Sequence, residues 1–136
     1  MATRTISNPA RVFAFVNEFT PLQATSGMQG LGLEKDGALI AGVMYEGFNG
    51  HNMWIHVGAQ PGARWLNRDY LRACFAYPFL QCGVSRLSGY VNASNLTARK
   101  FDEHLGFEQE AVLHGAGSDG GDVIIYKMLR ERCRYA

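Results

Sequence analysis

Two dipeptides, Asp36-Gly37 and Asn49-Gly50, constrain the fold of this chain more than any other feature. Each lies between apolar runs and supplies the left-handed backbone that a tight hairpin turn requires. They divide the region into strands over residues 30–34, 38–48 and 52–59, so an antiparallel meander is expected. In the third strand Met53, Ile55 and Val57 share one face, and Trp54 and His56 share the other.

Gln60-Pro61-Gly62 breaks that strand, and residues 63–77 take up a helical period with Leu66, Tyr70, Ala73, Cys74 and Tyr77 on one stripe. Pro78 must kink or stop this helix, and Gly83 ends any continuation. Residues 84–91 then read as a strand. A strand–helix–strand crossover places its two strands parallel, whereas both flanking groups are antiparallel. The expected fold class is therefore α/β in the mixed sense, a mostly antiparallel sheet with a central parallel pair.

The segment 92–110 supplies the next elements. Ser94 is the expected N-cap of a short helix, Thr97, Phe101 and Leu105 recur at four-residue spacing, and Gly106 provides the left-handed stop. Residues 107–113 and 123–129 form a terminal hairpin. The glycine-rich stretch 115–121 between them precedes a strand, not a helix, so it lacks the helix N-terminus of a nucleotide-binding loop and reads as a mobile connection bordering an acceptor site. Ahead of the meander, Asn8-Pro9 opens a helix with Val12, Phe15, Val16 and Phe19 on one face, ended by Thr20-Pro21. Residues 22–30 read as a connection or an irregular first strand.

A chain of 136 residues fits one domain over residues 1–136, and 47% hydrophobic content excludes general disorder. Thirteen basic against twelve acidic residues leave a net charge of +1, so no global field draws the protein to nucleic acid or an anionic membrane. Arginines do cluster, at Arg64, Arg68 and Arg72 and again at Arg130, Arg132 and Arg134, the last set reading as a solvated tail. Cys74, Cys82 and Cys133 are odd in number and widely spaced, which argues against a zinc site and a disulfide framework. No run approaches a membrane span, so a soluble cytoplasmic protein is expected.

The wording N-x-x-A-x-x-x-x-x-x-L-G-F, here Asn95, Ala98, Leu105, Gly106 and Phe107, resembles a motif of the GCN5-related N-acetyltransferase (GNAT) superfamily. The resemblance spans residues 57–128 best, and the order of elements agrees in the front half. It implies acetyl-CoA as co-substrate and transfer of acetyl to a primary amine by direct attack. The pyrophosphate then belongs at the N-terminus of the helix beginning near Ala63, where free N–H groups and the dipole favour an anion. The family's Q/R-x-x-G-x-G/A wording is replaced by Gln60-Pro61-Gly62-Ala63-Arg64-Trp65. Gly62 and Ala63 are small enough for close approach, Trp65 is bulky, and Arg64 and Arg68 offer compensating cations. Val57, Asn95 and Arg99 complete the cofactor-binding set that the resemblance implies, and Asn95 reads equally as a helix-start cap, a role that can coexist with cofactor contact. The size, the Trp-Leu-Asn-Arg-Asp-Tyr-Leu segment at 65–71 and the Cys-Arg-Tyr end are similar to small GNAT-like proteins of bacteriophages.

For the base that removes the amine proton, His56 is the first candidate, because an unperturbed imidazole titrates near neutral pH; Glu46 is the second, acting through water. Family relatives commonly carry a tyrosine just before Leu-Gly-Phe that reprotonates the CoA thiolate. This chain has Asp102 there, and an ionised aspartate cannot donate, so Tyr126, Tyr90 or water takes that role. No metal-ligand spacing occurs and no metal is expected. A homodimer is left open. Two other classes remain: a non-catalytic module of this fold that binds CoA or a partner, and a protein that modifies nucleic acid.

Overall fold

A computed structural model describes residues 2–62 and 67–136. Among them, seven strands form one mixed sheet: β1 (Thr3–Ile6), β2 (Gln29–Lys35), β3 (Ala38–Glu46), β4 (Asn52–Ala59), β5 (Arg86–Asn92), β6 (Glu108–Leu113) and β7 (Val123–Leu129). Their spatial order is β1-β2-β3-β4-β5-β7-β6, and β4–β5 is the parallel pair. The helices are α1 (Pro9–Asn17), α2 (Arg68–Ala76) and α3 (Leu96–Leu105). The mixed sheet is as expected.

Both hairpin signals act as expected. Asp36 and Gly37 take φ of 54° and 82°, closing β2 onto β3. β3 stops at Glu46 and not at residue 48, because Gly47 turns left-handed and the Asn49 side chain accepts from the N–H groups of His51 and Asn52. Those bonds hold the chain in a turn that competes with further ladder pairing. β1 was not anticipated. Its Thr-Arg-Thr-Ile run is short and exposed, a weak pattern that becomes a strand by pairing with β2.

Alternation along β3 separates two apolar layers. Met44 faces Val12, Phe15 and Val16 of α1, whereas Val43 and Tyr45 face the larger core with Phe75, Leu105 and Met128. Helix α1 therefore lies on one side of the sheet, and α2 and α3 on the other. Close approach of α1 requires glycine in the strands beneath it: a Cβ on Gly58 would sit 3.2 Å from Val16 Cα, and one on Gly42 3.0 Å from Val12 and Val16. On the far side, the buried hydroxyls of Tyr45 and Tyr70 donate to Cys74 O and Leu31 O, tying α2 to the strands.

Two helix starts differ from expectation. Helix α2 begins at Arg68, capped by the Asn67 side chain on Tyr70 N, whereas the expected start at Ala63 lies outside the described residues. Pro78 does not end the chain's coiling. A wide π-type turn over Tyr77–Gln81 absorbs it, with Cys82 N donating to Tyr77 O. Helix α3 is capped by Asn95, whose side chain accepts from Ala98 N. Ser94, the expected cap, donates instead to Asp119.

Candidate active site

The parallel pair supplies the frame. β4 and β5 pair at Asn52↔Arg86, Met53↔Leu87 and Trp54↔Ser88, then part. Beyond that point β4 stays paired with β3 to Ala59, and β5 with β7 to Asn92. Each strand follows its own outer partner, so a wedge opens between Ile55–Ala59 of one and Gly89–Asn92 of the other. Edges facing such a wedge carry backbone N–H and C=O groups that an extended ligand can satisfy. The closed end is held by side chains: Ser88 Oγ donates to Asn52 Oδ1 at 2.6 Å and accepts from Arg86 Nε, and Arg86 pairs with Glu110.

On the α1 side, the β3–β4 register brings His56 and Glu46 together diagonally. Met44 stands opposite His56 and Glu46 opposite Trp54, so all four share a face. His56 Nε2 lies 2.5 Å from Glu46 Oε2, and Thr25 Oγ1 donates to Glu46 Oε1 at 3.3 Å. A carboxylate only accepts, so Nε2 carries the hydrogen and Nδ1 keeps its lone pair. His56 is 5% exposed, and burial pushes its pKa below the ordinary value against the opposing pull of Glu46. The imidazole is thus neutral at neutral pH and able to accept a proton. With Nε2 taken by Glu46, Nδ1 is the ring nitrogen left to accept a proton.

Tyr90 crosses the wedge on the same face. Its ring meets His56 edge-on at 5.2 Å and Trp54 at 5.8 Å between centroids. Burial, with the Glu46 charge second, raises the Tyr90 phenol. Thr25 had no signal in the sequence, because it comes from the irregular segment after α1.

Tyr126 lies on the opposite face. Its hydroxyl donates to Glu103 Oε2 at 2.6 Å and accepts from Arg99 Nε at 3.5 Å. Arg99 also donates to Ala93 O, so it braces the start of α3. The structure does not bring Tyr126 together with His56 and Glu46. Asp102 is half-buried on the same helix, with its carboxyl pKa raised to about 7 by burial and, secondarily, by the Glu103 charge. This corrects the expectation of a fully ionised aspartate. Near neutral pH a substantial fraction is protonated and can donate.

The helix N-termini of α2 and α3 follow the strands that form the wedge, with Asn67 and Asn95 as caps. Val57 is half-buried on the β4 side of the wedge, and Gly62 turns left-handed at 76°, with no described residue within 4 Å of a Cβ placed there. Ala63, Arg64 and Trp65 lie outside the described residues. Arg68 is exposed and lines a shallow cleft of about 280 Å³ with Thr3, Thr5 and Leu33, toward β1. The glycine loop is tethered and not free: Asn92 donates to Ser118 and Ser94 to Asp119, while Gly121 N binds the Asp119 carboxylate. These bonds dock it on the β5–α3 junction. No group of three His, Cys, Asp or Glu among the described residues is placed to hold a metal ion.

No protein-family model matches the chain, and no curated protein matches it in sequence. Solved structures do match in shape. Mutant forms of the spermidine/spermine N-acetyltransferase SpeG from Vibrio cholerae superpose with a TM-score of 0.74 at 14% identity, covering 96% of each chain. Ard1 from Thermoplasma volcanium superposes at 0.74 with 11% identity, over 95% of this chain and 98% of its own. A probable acetyltransferase does so at 0.64 and 17% identity, over 87% and 68%. The chain has the GNAT acetyltransferase fold. In a GNAT fold built from this sequence, the wedge between β4 and β5 and the His56–Glu46 pair beside it are the features with chemical potential.

Proposed function

We propose that residues 1–136 form a single GNAT domain that transfers acetyl from acetyl-CoA to a primary amine by direct attack. The observation that carries the reading is the His56–Glu46 pair at the rim of an unpaired strand wedge. Wedge edges of β4, Val57 among them, and of β5 hold the extended pantetheine arm as an added strand would lie. Gly62, Ala63, Arg64, Trp65, Arg68, Asn95 and Arg99 are the proposed surroundings of the rest of the cofactor, at the N-termini of α2 and α3.

In the reaction the ammonium first gives a proton to Nδ1 of His56, and the freed amine nitrogen then bonds to the thioester carbonyl carbon. Glu46 fixes the tautomer and stabilises the imidazolium, as a carboxylate does beside a catalytic histidine. Collapse breaks the C–S bond, and the thiolate takes a proton. Tyr126 or Tyr90 is the proposed donor, with water as the third candidate. A backbone N–H of β4 stabilises the carbonyl oxygen as charge develops.

The named structural neighbours include spermidine N-acetyltransferases, which supports an amine acceptor. Among the described residues no helix is long and apolar enough to cross a membrane, and the reading places the protein in the cytoplasm. Homodimer formation stays part of the proposal, since one SpeG structure is described as dodecameric. The bacteriophage-type likeness rests on the size and on the wording at 65–71 and 133–135. A second reading, a GNAT-fold module that binds CoA without transfer, is favoured by Asp102 standing where relatives carry tyrosine.

Calorimetric titration with acetyl-CoA and with CoA tests the cofactor half. Micromolar binding of either is expected. Absence of both would overturn the acetyltransferase reading.

A further inference from the structure

The face that carries Glu46 also says what its acceptor looks like, and this inference deepens the acetyl-transfer reading on which it rests. The Glu46 side chain is 19% exposed, and its bonded partners are His56 and Thr25. Among the described residues no lysine or arginine pairs with it. An accessible carboxylate without a compensating cation favours an ammonium and repels a second carboxylate.

Around that charge the surface is aromatic. Trp54, directly across the ladder from Glu46 and half-buried, packs against Gly47, where a Cβ would come within 2.9 Å of indole Cδ1. Tyr90 is 45% exposed although its ring is fixed against both Trp54 and His56. Phe48, two residues beyond Glu46, is 57% exposed. Helix α1 packs on β2, β3 and β4 and, among the described residues, makes no comparable contact with β5. Rigid exposed rings beside a carboxylate suit a cation on a short arm attached to a flat apolar group.

We propose that this face selects an arylalkylamine: a primary ammonium held at Glu46, an aromatic ring laid against Tyr90 and Trp54, and no carboxylate on the carbon bearing the amine. The ammonium then reaches the wedge beside His56, which accepts its proton.

The test compares 2-phenylethylamine, phenylalanine, butylamine and spermidine as acceptors at saturating acetyl-CoA. 2-Phenylethylamine is expected to show kcat/KM at least about tenfold above each of the others, from ring stacking and the absent repulsion. Tyr90→Leu should reduce that preference for 2-phenylethylamine over butylamine about 3- to 30-fold, and Tyr90→Phe should restore most of it. Equal or better use of phenylalanine, butylamine or spermidine overturns the inference while leaving acetyl transfer intact. If acetyl-CoA does not bind, the transfer reading fails separately, and calorimetry of the amines alone decides this one. Selective binding of 2-phenylethylamine, lost in Glu46→Gln, supports it; no binding, or binding of phenylalanine equally well, overturns it.

Discussion

His56 and Glu46 sit on neighbouring strands but not opposite each other, and their side chains meet on the diagonal with Nε2 and Oε2 2.5 Å apart. In the proposed reaction this contact makes two isolated ionisable residues an oriented base. His56→Ala should therefore lower kcat/KM by about 10²–10⁴-fold, the usual span for a general base. Glu46→Gln keeps an acceptor for Nε2–H but removes the charge, so a smaller loss is expected. Steady-state rates with any accepted amine check both; a loss below threefold in His56→Ala would sink the assignment.

The pH profile carries an independent sign. Burial holds His56 below its ordinary pKa of about 6.5, and Glu46 opposes that shift. The acidic limb of kcat/KM should accordingly inflect below pH 6.5. In Glu46→Gln the opposing pull is gone, so the limb should move further to acid. An inflection above 6.5 in the unsubstituted protein, or a move to higher pH in the variant, contradicts a buried neutral histidine.

Asp102 gives a stability signature of opposite sense. Its folded-state pKa of about 7 lies above the unfolded value, so the folded protein binds the proton more tightly and loses stability as pH rises through 7. Asp102→Asn cannot ionise. It should be more stable than the parent at pH 8, by about 1–2 kcal/mol after allowance for partial exposure, and little different near pH 4. Thermal melts at the two pH values decide this, and an equal change at both would point to packing instead.

Glycine at the α1 seat can be tested against glycine in the wedge. Gly58→Ala forces a methyl against the Val16 backbone and should cost about 1–3 kcal/mol in denaturant unfolding. Gly89→Ala meets its first neighbour, Ile55 O, at 3.8 Å and should be close to neutral. Equal destabilisation by the two would show that helix seating is not what Gly58 serves.

The base of the wedge is a polar ladder. Ser88 is 2% exposed, and replacing it by alanine removes both the bond to Asn52 and the acceptor for Arg86. A loss of about 1–3 kcal/mol is expected from leaving buried partners unsatisfied. Unfolding curves measure it. A change under 0.5 kcal/mol would mean that water replaces the hydroxyl.

Residue pattern alone determined the meander, the crossover, the short helix ending at Gly106 and the terminal hairpin, because turn dipeptides, period and caps act within a few residues of chain. The β4 boundaries, Asn52–Ala59, and those of β7, Val123–Leu129, agree with the expected 52–59 and 123–129. Asn95, legible as a helix-start cap, serves as one, while the loss of Ser94 to the glycine loop and the strand at Thr3–Ile6 were decided by partners distant in sequence: Asp119 claims Ser94, and β2 recruits β1. His56 and Glu46 were legible as residue types, while their contact was not. Only the register of two paired strands set them on one diagonal, only divergence of β4 from β5 opened the wedge beside them, and burial, with the neighbouring Glu46 and Glu103 charges, tuned His56 and Asp102. Those are properties of tertiary packing, since pairing and desolvation depend on which distant segments meet.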